Sequence, residues 1–169
     1  MGYTVTHKIE TDVDGFWSAF LDPELGRAIA DDLKEYAGFE VVEERRDEHG
    51  NLHRRVQCWT KIEIPAIAQK LVGDGKYAEV GFYDHAAKRY KAQYIPNMNS
   101  DKIRTDFVIH ARPCTNGKHC ERVIEVDNTV KVFGIGGILA GIMEKTQREV
   151  HTHSADFTNQ WLRARGLSK

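Results

Sequence analysis

The sequence predicts an α+β protein in which a strongly curved antiparallel sheet of about seven strands wraps around a long carboxy-terminal helix, in the order β-α-α-β6-α. Three observations predict it. The stretch from Gly134 to Arg163 reads as one helix, with Ile135, Leu139, Ile142, Met143, Thr146, Val150, His153, Phe157 and Trp161 recurring at three- and four-residue steps. Lys145, Arg148, Glu149, Thr152, Asp156 and Asn159 occupy the opposite face. Most of the remaining chain alternates with a period of two, and short turns between the alternating runs imply antiparallel neighbours. Finally, the last strand leads into the helix through Gly134-Ile135-Gly136-Gly137, whose glycines let the backbone turn sharply.

The elements follow in order. Tyr3 to Glu10 alternates as a first strand. Asp12 offers an N-cap to a short helix, Val13 to Leu21, containing Phe16, Trp17 and Phe20. Asp22-Pro23 starts a second helix, with Leu25, Ile29 and Leu33 on one face. Phe39 to Arg46 and Leu52 to Ile64 form a hairpin around Asp47-Glu48-His49-Gly50-Asn51. Pro65 ends that strand, and Ala66 to Val72 forms a helical turn or linking arm. Lys76 to Tyr83, Arg89 to Ile95, Ile103 to Arg112 and His119 to Phe133 are four further strands. Asn116-Gly117 between the last two is a strong hairpin signal. Gly137 and Gly141, one turn apart, are expected to let the helix approach the sheet closely. A rod laid across a bent sheet need not touch it everywhere, so a cavity between them is the natural result.

Composition bounds the function. The chain has 169 residues, enough for a single domain over 1–169 with a sizeable core. A hydrophobic content of 41% with a mean hydropathy of -0.52 indicates a soluble globular class. No apolar run approaches the ~20 residues of a membrane helix, and no secretory signal opens the chain. Membrane contact is therefore expected to be transient at most. A net charge of -1 with mixed signs argues against nucleic acid as a partner. Three cysteines do not make a disulfide framework, so a reducing, cytoplasmic setting is the default. Met1-Gly2 followed by Thr6 fits a loose myristoylation pattern, but Tyr3, Val5 and His7 already alternate as a strand would.

With these elements in place, the chain resembles the helix-grip fold of the START-like (SRPBCC) superfamily, which includes lipid-transfer domains, pollen-allergen-like proteins and polyketide cyclases. The resemblance rests on Phe16-Trp17-Ser18-Ala19-Phe20-Leu21-Asp22-Pro23 after the first strand, on the six-strand meander, and on Val130 to Gly137 opening a helix that ends Phe157-Thr158-Asn159-Gln160-Trp161-Leu162. Within the superfamily the chain is most similar to an uncharacterised bacterial branch with that glycine-rich junction. The resemblance implies fold strongly and chemistry weakly.

Several residue constellations have plainer readings than the chemistry they suggest. Gly134-x-Gly136 lacks the βαβ unit of a dinucleotide site, so a sharp turn is the better reading and no cofactor is expected. His110, Cys114, His119 and Cys120 cluster at one hairpin, but without a Cys-x-x-Cys knuckle they do not read as a metal site; free thiols are the better reading of Cys114 and Cys120, with a disulfide across the hairpin as the alternative. His153 lies on the apolar stripe, either as a satisfied core histidine or as a polar group orienting a ligand. Asn128 falls in the alternation Arg122, Ile124, Val126, Asn128, Val130, Val132, a polar group on an apolar wall. Tyr90, Tyr94 and Phe107 are candidates to line the same cavity. His7, His49, His53 and His85 read as surface residues, and His53-Arg54-Arg55 as part of a solvated hairpin.

The leading expectation is a non-enzymatic carrier or sensor of an apolar small molecule or lipid. Its binding residues would be Leu139, Ile142, Met143, Thr146, Val150, His153, Phe157, Asn128, Phe107, Tyr90 and Tyr94. The alternatives are a cyclase- or dehydratase-like enzyme using His153 or a cavity tyrosine as acid/base, and an interaction module with a closed core. No catalytic residue is assigned.

Overall fold

The chain order is β1 (Gly2–Ile9), α1 (Val13–Phe20), α2 (Pro23–Asp32), β2 (Tyr36–Arg46), β3 (Leu52–Thr60), α3 (Ala66–Val72), β4 (Lys76–Asp84), β5 (Arg89–Pro96), β6 (Ile103–Pro113), β7 (Cys120–Val130) and α4 (Gly136–Ala164). These elements come from a computed structural model that describes residues 1–61 and 66–169, without the side chains of 67, 68 and 72. The end of the expected third strand, including Ile62 and Pro65, lies outside the described residues. The seven strands form one curved antiparallel sheet in the order β1-β7-β6-β5-β4-β3-β2. Each strand from β2 to β7 pairs with its sequence neighbour, as short connections dictate, and β1 closes on β7 with Tyr3 opposite Val126. Among the described residues, no helix is long and apolar enough to cross a membrane.

Local chemistry explains the starts of the short helices. Asp12 Oδ1 accepts a hydrogen bond from Gly15 N at 2.8 Å, and Asp22 Oδ1 accepts one from Glu24 N at 2.8 Å, with Pro23 in the first helical turn. The α1 side chains Phe16 and Trp17 are then buried, and Phe20 meets the Tyr90 ring at 5.1 Å. In this way α1 closes one end of the sheet's inner face. The strand β2 lies at the far edge, mostly exposed and rich in charge from Glu43 to Arg46, a composition that discourages edge pairing with other chains.

The inner face is read from the alternation. Arg122, Ile124, Val126 and Asn128 on β7, Phe107 and Ile109 on β6, and Tyr90 and Ala92 on β5 are buried. Over this face lies α4. At its far half, Ala155 and Leu162 join the main core with Phe16, Tyr90 and Ile124. At its near end, Leu139 packs with Ile103 in a second, smaller cluster. The helix is thus seated on apolar contacts at both ends.

The structure moves the buried line of α4. It runs through Leu139, Ala140, His151, Ala155, Thr158 and Leu162, whereas the periodicity had favoured Thr146, Val150, His153, Phe157 and Trp161. From the middle of the helix onward the face is displaced by one residue, about 100° of rotation. The small side chains of Ala155 and Thr158 let the rod sit against the sheet, and bulkier Phe157 and Trp161 pack partly buried along its flanks.

Two glycine expectations also change. The strand β7 stops at Val130, three residues before the expected Phe133, which is fully exposed; Gly134 takes φ +82° and α4 begins at Gly136. The sharp turn is therefore present. A side chain at Gly137 or Gly141, however, would meet nothing within 4 Å, so neither glycine mediates a close approach to the sheet. Because Gly141 lies inside the helix facing open space, Gly141→Ala should raise stability by about 0.5–1 kcal/mol, read as a higher midpoint in urea unfolding.

Candidate functional site

Between its two seats, α4 stands off the sheet and leaves two adjoining chambers. The outer one, about 180 Å³, is roofed by Leu139, Ile142, Met143, Thr146 and Val150 of α4, and Tyr77, Tyr94 and Ile103 lie on the sheet side. The inner one, about 150 Å³, is walled by Phe16 and Phe20 of α1, Leu25 and Ile29 of α2, and Tyr90 and Phe107 of the sheet. Both are lined by Tyr36, Tyr94, Val150 and His151, which form the partition between them. The Tyr36 and Tyr77 hydroxyls meet at 2.8 Å beside the outer chamber, and burial pushes both phenols above their ordinary pKa.

A buried polar network sets the height of the helix over these chambers. Thr105 Oγ1 donates to Asn128 Oδ1 at 2.6 Å, and Asn128 Nδ2 donates to Gln147 Oε1 at 2.8 Å. Gln147 Nε2 returns to Thr105 Oγ1 at 3.0 Å, and Tyr3 donates its hydroxyl to Gln147 Oε1 at 2.9 Å. Further along, the Asn159 side chain accepts from Glu10 N and donates to the Lys8 carbonyl, and Arg163 forms two bonds to the Glu10 carboxylate.

The inner chamber carries charge in its wall. Arg54 Nη2 donates to Glu79 Oε1 and to the Tyr90 hydroxyl, each at 3.1 Å, and the Tyr90 hydroxyl donates to Glu79 Oε1 at 2.5 Å. Burial by itself lowers the Arg54 pKa, but Glu79 and Tyr90 outweigh it and the net shift is upward. Burial, reinforced by Glu79, pushes the Tyr90 phenol well above its ordinary value, so it holds its proton. Gly81 makes this cluster possible: a Cβ there would lie 1.8 Å from the Tyr90 hydroxyl oxygen.

Opposite stands Arg122, 5% exposed. Its Nη1 donates to Ser154 Oγ at 3.1 Å, and its Nη2 donates to the His151 carbonyl at 2.6 Å and to His7 Nδ1 at 3.2 Å. That contact makes His7 Nδ1 an acceptor, which leaves Nε2 to donate to Thr152 Oγ1 at 3.3 Å. Burial, with help from Arg122, holds the His151 pKa down to about 3 and that of His7 down to about 4, so both imidazoles are neutral at pH 7.

Residues 4–162 match the family described as "Protein of unknown function (DUF2505)". The chain belongs to this family. No curated protein matches it by sequence. Among solved structures, its fold is similar to norcoclaurine synthase from Thalictrum flavum (TM-score 0.65, 15% identity, covering 96% of this chain and 87% of that one). It is also similar to the Zhui aromatase/cyclase from Streptomyces sp. R1128 (TM-score 0.66, 11% identity, 98% and 94%) and to a START superfamily protein from Mycobacterium smegmatis (TM-score 0.61, 12% identity, 95% and 98%). These likenesses identify the START-like helix-grip fold, and at such identities they speak to fold alone.

Of the residues singled out in the sequence of this family member, Leu139, Ile142, Met143, Thr146 and Val150 line the outer chamber, Tyr90 and Phe107 the inner one, and Tyr94 both. Three lie elsewhere. His153 is exposed and binds Asp32 of α2 at 2.6 Å, because the helix face is rotated by about one residue; that rotation turns His151, next to the expected Val150, into the buried line. Phe157 packs at the edge of the main core, and Asn128 spends its hydrogen bonds on Thr105 and Gln147. The sequence reading also missed two arginines. Arg54 was assigned to a solvated hairpin and His7 to the surface, yet Arg54 joins the buried cluster and His7 is half-buried against Arg122. Arg122 stood in the same inward alternation as Asn128, and that register was the available signal.

Among the described residues, His110, Cys114, His119 and Cys120 form no metal-holding group. Cys120 points into the core opposite Pro113, so it does not face Cys114, and both are free thiols. His119 bonds to the Lys169 carbonyl at 2.6 Å.

Two predictions follow from this geometry. Gly81→Ala should displace Tyr90 from Glu79 and destabilise the fold by about 1–3 kcal/mol in urea unfolding. The folded His151 pKa of about 3 lies below the unfolded value of 6.5, so its contribution is complete above pH 6.5 and is lost as pH falls towards 3. Stability at pH 5 should therefore be about 2 kcal/mol below that at pH 7 on account of His151, and His151→Asn should flatten the curve over that interval.

Proposed function

We propose that the protein binds an apolar small molecule or lipid beneath α4, as a carrier or sensor. The observation that carries this reading is the unfilled space: two adjoining chambers with largely apolar and aromatic walls, at the place where the fold would otherwise close its core. Each chamber alone is smaller than the ~300 Å³ at which small-molecule pockets begin. A guest of useful size therefore occupies both, moving the shared side chains of Tyr94 and Val150. Burial of its apolar surface supplies affinity at ~25 cal/mol per Å². The norcoclaurine synthase of similar fold holds dopamine and hydroxybenzaldehyde in one of its structures, which supports the use of this architecture for small aromatic guests. Three free thiols fit a reducing, cytoplasmic setting.

An enzyme of the cyclase kind is the second reading, favoured by the Arg54–Glu79–Tyr90 cluster in the inner wall. It ranks lower because the Tyr90 hydroxyl is already engaged and His151, with its pKa near 3, is a poor proton acceptor at neutral pH. An interaction module with a closed core fits least, since the core is open.

The neutral fluorophore N-phenyl-1-naphthylamine tests the reading. It should brighten on binding the wild-type protein. Val150→Trp, which fills the partition, should weaken binding at least tenfold while thermal unfolding stays within a few degrees of wild type. An absence of binding to wild type, or equal binding to both proteins, would sink the proposal.

A further inference from the structure

The inner chamber is lined by two arginines and one glutamate, so its wall carries one net positive charge. Glu79 is already paired with Arg54. Arg122 is the guanidinium left over. It makes no ion pair among the described residues; Asp156 attracts it only from an exposed position on α4. Its three partners, Ser154 Oγ, His7 Nδ1 and the His151 carbonyl, are all neutral. Its Nε is buried and has no hydrogen-bond partner among the described residues. Burial pulls its pKa down to about 10, which leaves it charged at neutral pH.

A buried cation without an anion is disfavoured unless something else compensates it. Here the fold spends neutral acceptors on Arg122 and keeps a carboxylate away. A guanidinium presents donors in a fixed planar fork that matches an oxyanion. The surrounding wall, Phe16, Phe20, Phe107 and Ile124, is apolar, which strengthens such a pairing.

We infer that the guest is an amphipathic acid, whose carboxylate pairs with Arg122 in the inner chamber while its apolar body fills the space beneath α4. This rests on the small-molecule-binding reading above and adds the chemical class of the guest. It also assigns the roles of the two arginines. Arg54 is a positioning residue for Tyr90 and Glu79, and Arg122 is the residue that selects the head group.

The test uses two competitors of one shape, 1-naphthaleneacetate and 1-naphthaleneethanol, against bound N-phenyl-1-naphthylamine. With the wild-type protein the acid should displace the probe at a concentration at least tenfold below that of the alcohol. Arg122→Gln should abolish this preference, so that acid and alcohol compete at similar concentrations, and Arg122→Lys should keep part of it. Ser154→Asp places an internal carboxylate beside the Arg122 Nη1; it should raise the thermal midpoint and also erase the preference. This second variant serves if Arg122→Gln does not fold. Equal competition by acid and alcohol in the wild type, or a preference that survives Ser154→Asp, overturns the assignment while leaving neutral binding intact. A wild-type protein that fails to bind the naphthylamine removes the binding reading, and the assignment falls with it.

Discussion

A rod laid over a concave sheet has no natural height. Apolar contact alone would draw it inward until the space beneath was filled. In this protein the height is fixed by hydrogen bonds that work at one distance only: Gln147 of α4 reaches down to Thr105 and Asn128 of the sheet, and Tyr3 closes the group from β1. Each of these groups is at least partly buried, and leaving one without a partner costs about 1–3 kcal/mol. A small shift of the helix in either direction would break several of them together. The chambers exist because this polar spacer lies between two apolar seats, Leu139 with Ile103 at one end and Ala155 with Leu162 at the other.

The two inward-facing arginines show how differently one residue type can be used within a few strands. Arg54 is woven into a closed set with Glu79 and Tyr90, made possible by the missing side chain at Gly81. Its charge is balanced inside the wall. Arg122 is held by neutral acceptors that fix its orientation without cancelling its charge. Burial, with help from its field, keeps His151 and His7 neutral, so the imidazole in the partition between the chambers is uncharged throughout the physiological range. The electrostatic character of the inner chamber is thus set by a single side chain.

Much of the architecture was legible in the sequence, because it rests on signals that act locally. Alternation fixed the strands, Asp12 and Asp22-Pro23 fixed the starts of α1 and α2, and the glycine-rich junction fixed where the chain turns into α4. What escaped was long-range. Periodicity weights bulky apolar residues, so it placed the buried line of α4 on Val150, His153 and Phe157, when the residues buried in that half are His151, Ala155, Thr158 and Leu162. A rotation of one residue turned His153 outward and brought His151, next to Val150, into the buried line. Arg54 and Arg122 stood on inward-facing registers from the start. Charge suggested solvent for Arg54, and only the neighbours brought by folding, Glu79 in one case and neutral acceptors in the other, reveal why each is inside.

The near end of α4 has a property that its far end lacks. It begins without a side-chain cap, and Gly137 and Gly141 within its opening turns gain no packing in return for their backbone freedom. The far end, by contrast, is tied to β1 through Asn159 and Arg163. Those first turns roof the outer chamber. The cover of that chamber thus rests on the small apolar cluster around Leu139 and Ile103, whereas the far end of the same helix is held by hydrogen bonds and an ion pair as well.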